Sequence, residues 1–129
     1  MKRILPPLAV VLALAGAGSC DSVGPVAGVL TVSLRTPNPG ADGAILFTVT
    51  GPATPVSVTP EPGLRVFSQA TLSSTNRFSV TGPLANGALL TIGVPDVRQA
   101  SQYVATVAAV AANDFSLRLL SAYSLSVSR

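Results

Sequence analysis

The chain has no His and no Trp, one Cys (Cys20) and one Lys (Lys2) in 129 residues. Each shortage removes a class of chemistry. Without His, and with Cys20 committed elsewhere as argued below, the usual zinc and copper ligands are missing. A Ser nucleophile has no imidazole base, and the Cys20 thiol has none to activate it. Neither G-x-G-x-x-G nor G-x-x-x-x-G-K-[ST] occurs, so a nucleotide cofactor has no phosphate cradle. Charge is also scarce. After position 19, six Arg face five acids, and Arg35, Arg65, Arg77, Arg98, Arg118 and Arg129 stand singly. No basic cluster exists to neutralise phosphates, which excludes nucleic acid as a partner class. The chain is therefore expected to have no catalytic residue, no metal site and no cofactor.

What is present begins with MKRILPPLAVVLALAGAGSCDS. Lys2 and Arg3 form a positive n-region, an apolar run of about 14 residues follows from Ile4 to Ala17, and small residues lead into Cys20. That order is the signature of an export signal. The run is shorter than the roughly 20 residues a helix needs to cross a bilayer. The ending AGSC resembles the lipobox of bacterial lipoproteins, in which the cysteine receives a diacylglyceryl group and becomes the mature N-terminus. Ala17 stands where that motif prefers Leu. The resemblance implies lipidation of Cys20 and a membrane anchor. The alternative is plain secretion by cleavage after Ser19, which leaves an unpaired thiol in an oxidising compartment.

Removing residues 1–19 leaves 110 residues, the size of one domain. Residues 20–28 read as a tether containing Gly24 and Gly28, and residues 29–129 as the domain. Within it the hydrophobic period is two almost throughout, the strand signal. VLTVSLR sends Leu30, Val32 and Leu34 one way, and AILFTVT does the same with Ile45, Phe47 and Val49. PVSVTP, bounded by prolines, is confined to an edge or a bend. LRVFSQATL, NRFSVTG and ALLTIGV follow, the last with Leu90, Ile92 and Val94 opposite Leu89, Thr91 and Gly93. YVATVAAVAA mixes helix-favouring Ala with strand-favouring Tyr103, Val104, Thr106, Val107 and Val110 and is read as strand. FSLRLLS and YSLSVSR are read as a closing strand pair or one bent strand. Seven to nine short strands separated by turn signals predict an all-β, two-sheet antiparallel sandwich.

AILFTVTGP, GLRVFSQ and FSVTGPLANGALLTIGVPD, taken in order, resemble the run found in cohesin-like domains. The resemblance covers about residues 28–127. It implies an immunoglobulin-like jelly-roll sandwich, nine-stranded in that family, whose members bind dockerins through one sheet face. No contact residue can be matched individually.

The acids, Asp21, Asp42, Glu61, Asp96 and Asp114, are spread over different loops, which is unfavourable for a calcium cage or a carboxylate pair. Asp42 in NPGADGA and Asp114 in AANDF are read as turn residues bonding their own backbone. Phe47 and Phe78 fall on core faces, while Phe67 is the outward aromatic and, with Tyr103, the candidate ligand contact. The function expected is a membrane-anchored, non-catalytic binding or structural module of the cell envelope. It would act through a sheet face or an open edge strand. The alternative is a carbohydrate-binding or adhesive module using exposed aromatics, against which the absence of Trp counts. A protein partner and the oligomeric state are not readable from these residues.

Overall fold

The computed structural model describes residues 24–72 and 74–129. The leader, Cys20 and Asp21 lie outside them. Eight strands follow in chain order: β1 Gly28–Arg35, β2 Asp42–Thr50, β3 Ser57–Pro60, β4 Arg65–Leu72, β5 Thr75–Leu84, β6 Gly87–Val94, β7 Val104–Ala112 and β8 Ser124–Ser128. They make two antiparallel sheets of four, β3-β6-β1-β8 and β4-β5-β2-β7, packed face to face. The expected sandwich is present.

Alternation builds the core. Leu30, Val32 and Leu34 of β1 meet Ile45, Phe47 and Val49 of β2, with Phe78 and Val80 of β5 and Leu90, Ile92 and Val94 of β6. Phe47 and Phe78, paired across β2 and β5, stack with ring centroids 5.4 Å apart. Such a pair adds about 0.5–1.5 kcal/mol beyond the area it buries. β7 is a strand, as its β-branched residues required, because its inward Ala105, Val107 and Val110 continue that core.

Among the described residues the register shifts at four places; one, between Ala70 and Leu72 at the end of β4, lies at a sheet corner, and the other three are bulges that bear on the core. Between Val32 and Ser33 of β1, the facing register skips Leu89. Leu89 and Leu90 are consequently both buried, which corrects the expectation that Leu89 faces away. Between Leu46 and Phe47, the partner β7 skips Ala108. The third bulge, at Gly43 of β2, shifts the register towards both neighbours and turns Asp42 inward. A side chain at Gly43 would close to 2.9 Å on the Asn113 amide oxygen, so the bulge takes a glycine.

Two further expectations are corrected. FSLRLLS is not a strand: residues 113–120 form an irregular segment with one isolated bridge, Ala111 to Leu117. The end of the segment read as a tether is fastened to the domain. The Val97 N–H donates to the Val26 carbonyl at 2.8 Å, and the Val26 N–H donates to Asp96 Oδ1 at 3.3 Å. A 3₁₀ segment, Val97–Gln102, capped by Asp96, leads into β7. Among the described residues, no helix is long and apolar enough to cross a membrane.

Candidate functional site

The sandwich has two poles. At one, β1 begins opposite the end of β6, and β2 ends opposite the starts of β5 and β7. At the other, β1, β5 and β7 finish while β2, β6 and β8 begin. This second pole, far from where β1 enters, carries the unusual chemistry.

Asp42 sits there with no exposed surface. The Thr36 hydroxyl donates to its Oδ2 at 2.7 Å, and the Tyr123 hydroxyl lies 3.1 and 2.9 Å from its two oxygens. Arg118 Nε donates to Oδ1 at 2.9 Å. Asn38 Nδ2 donates to the Tyr123 hydroxyl at 3.0 Å, and the Asn38 N–H to the Thr36 hydroxyl at 2.9 Å. The Thr36 N–H in turn reaches Asn86 Oδ1 at 2.7 Å. The carboxylate is thus surrounded by donors, the condition under which a buried charge is tolerated. Asp42 is therefore not the self-bonding turn residue expected. The reason is the Gly43 bulge, which swaps it onto the inner face. Nothing in the local sequence marks it, because its partners lie up to 81 residues away.

Asp114 does behave as read: it accepts from the Ser116 N–H at 3.0 Å and the Ser116 hydroxyl at 2.6 Å. These bonds hold its carboxyl below the usual range. Asp96 takes the Arg98 guanidinium on both oxygens, at 2.9 and 3.0 Å, and that pairing holds it well below the usual range. Three of the five acids are thus held in structural bonds. Among the described residues, no group of three or more His, Cys, Asp or Glu is placed to hold a metal.

The two aromatic candidates separate. Phe67 is 61% exposed on the outer face of β4. In register its row runs Phe67, Ser79, Leu46 and Ala109 across the sheet, and a shallow groove of about 370 Å³ lies beside it, lined by Leu46, Gln69 and Arg77. Tyr103 is only 4% exposed and offers no surface to a ligand. Its ring covers Gly51, where any side chain would collide with it. Among the described residues, none bonds its buried hydroxyl. Burial pushes that hydroxyl up from its ordinary value, and the Ala53 backbone lies near enough to pull the other way without closing a bond.

Two surface features were not foreseen. Arg118 points inward from the segment 113–120, and its neighbours point out: Phe115, Leu117 and Leu119 are 90%, 78% and 88% exposed. Contiguous exposed apolar side chains of this kind mark contact surfaces. The signal lies in the alternation of FSLRLL, which also fits the closing strand pair or bent strand expected of this segment. On the other sheet, the register sets Thr59, Thr91, Thr31 and Ser128 in one row and Ser33 beside Ser126 in the next. A groove of about 440 Å³ lies at their end, lined by Ser33, Arg35, Ser124, Ser126 and Asn86. No protein-family model, curated protein or solved structure matches the chain.

Proposed function

We propose that the chain is an exported, membrane-anchored, non-catalytic binding module of the bacterial cell envelope, which takes an extended segment of a partner protein on the free edge of β4. One observation carries this reading: β4 is the edge least protected against pairing. It runs for eight residues without a proline, with Arg65 as its only charge and Phe67 standing out beside it. The other edges are blunted. β3 is four residues long and ends in Pro60, β8 is five, and β7 is partly covered by residues 116–118. A strand added to β4 would gain main-chain hydrogen bonds, with Phe67, Gln69 and Arg77 supplying side-chain contacts. The cohesin resemblance stays in this proposal as a likeness of sandwiches, with eight strands here against nine. The anchor is Cys20, whose thiol takes a diacylglyceryl group before removal of residues 1–19 makes it the N-terminus.

Photo-crosslinking tests the edge. A crosslinker at Gln69 should capture one discrete envelope protein in living cells, and the same group at Thr59 should not. Equal capture from both sheets overturns the assignment. The anchor predicts a globomycin-sensitive precursor whose processing is lost in Cys20→Ala; an unmodified Cys20 thiol in the native protein refutes it. Turnover of an ester, glycoside or peptide panel by the purified chain refutes the non-catalytic reading.

A second reading is favoured by the groove of Ser33, Arg35, Ser124 and Ser126. Its hydroxyls and one guanidinium suit an acidic carbohydrate better than a peptide strand. Glycan binding lost in Arg35→Ala and retained in Gln69→Pro would select it over the β4 edge.

A further inference from the structure

The pole opposite the start of β1 carries a projection and a recess side by side. The projection is Phe115, 90% exposed, followed in the chain by the exposed Leu117 and Leu119. The recess is a groove of about 450 Å³ whose floor is made of small residues: Gly40, Gly43, Ala44, Gly82, Pro83 and Ala111. Its volume falls within the range of sites that take a ring-sized group. The groove begins at the base of Phe115 itself.

Backbone geometry adds a second observation. Phe115 has φ of 69°, the one residue other than glycine with positive φ among those described. A bulky residue in the left-handed region is strained. The strain is held by neighbours on both sides: the Phe115 N–H bonds the Ala112 carbonyl at 2.9 Å, and the Arg118 N–H bonds the Val110 carbonyl at 2.9 Å. The Arg118 side chain is tied to Asp42. The fold thus fixes an aromatic ring in water, in a conformation that costs free energy, next to a hole of matching character.

We propose that Phe115 inserts into this groove on a second copy of the same chain, forming a two-fold dimer. Knob and hole adjacent on one surface are what an isologous contact requires, since each copy then supplies both halves. Phe115, Leu117, Leu119 and the groove floor offer on the order of 500–600 Å² per copy, just under the roughly 600–1,000 Å² per side of standard interfaces, the size of a weak, transient contact. The contact does not depend on the β4 edge or on the anchor.

The test is analytical ultracentrifugation of residues 21–129 made without the leader and Cys20, in which neither lipid nor the apolar leader can drive association. The chain should dimerise at concentrations up to about 100 μM. Phe115→Ala, which removes the knob, and Ala44→Arg, which fills the hole, should each weaken dimerisation at least about tenfold with unchanged circular dichroism. Mixing the two variants should restore part of the association, because one intact knob then meets one intact hole. Phe115→Gly should raise the thermal midpoint while weakening the dimer, since it relieves the left-handed strain and removes the ring together. A monomer at the highest concentration overturns the proposal, as does dimerisation indifferent to both variants or a mixture no better than its parts. A monomeric chain that binds phosphatidylglycerol vesicles through Phe115 overturns it in favour of a bilayer. Gln69→Pro should leave dimerisation unchanged, so failure of the β4 reading is separable from failure of this one.

Discussion

The two poles of the sandwich use the same three residue types and obtain different results. Each has an aspartate, an arginine whose Nε lies 2.9 Å from a carboxylate oxygen, and a buried tyrosine. At one pole Asp42 is wholly enclosed and Arg118 is 29% exposed, and the pair joins residues 76 positions apart. At the other, Asp96 and Arg98 are neighbours in sequence, 12% and 43% exposed. The tyrosines differ likewise. Tyr123 receives a hydrogen bond from Asn38 and gives one to Asp42, while the Tyr103 hydroxyl has no bonding partner among the described residues. Equal distances therefore carry unequal consequences. A buried pair bridging distant strands holds the fold together, and a pair two residues apart with its arginine half-exposed secures a turn.

The largest effect should come from Asp42→Ala. It strands Arg118 and leaves the Thr36 and Tyr123 hydroxyls without their acceptor, and denaturant unfolding should show a loss of about 3–5 kcal/mol. Tyr123→Phe should cost less, about 1–2 kcal/mol, because it removes one hydroxyl from the network and leaves the charge pair intact. If the Asp42 and Tyr123 losses are equal, the network is not organised around the carboxylate.

At the other pole, Asp96→Asn should cost a smaller amount of stability at neutral pH and converge on the parent in acid. Its pairing holds the folded carboxyl below its unfolded value, so the stability it contributes is present above about pH 4 and lost as pH falls further. The acid limb of a pH–stability profile should be shallower in the variant, and salt should shrink the difference. The smallest effect should be Tyr103→Phe, with a thermal midpoint at neutral pH equal to or above that of the parent. Burial raises the folded phenol above its unfolded value of about 10, so the parent should lose stability as pH rises beyond that value. The variant should not.

Much of the sandwich was legible because Val, Leu, Ile and Phe recur every second residue, and Leu30, Phe47, Val80 and Ile92 landed where alternation put them. The departures share one cause. A bulge inserts a residue without changing local composition, so Asp42 and Leu89 each exchanged faces unannounced. Tyr103 was misplaced for a related reason: the space that buries it is made by Gly51, far off in sequence. Phe67 was legible because its strand is regular. The apolar projection was not, because FSLRLL has the alternation of a strand, and only the inward pull of a distant carboxylate turns its apolar side to water.

β1 lies between β6 and β8, so the earliest strand made is completed only by the last. A nascent chain has no partner for β1 until more than fifty further residues have emerged, and its own edge closes only after Ser124. Such long-range pairing slows folding and keeps the emerging polypeptide extended. Commitment to the sandwich is thereby held back until nearly all of the chain is available, a delay that suits the export proposed above.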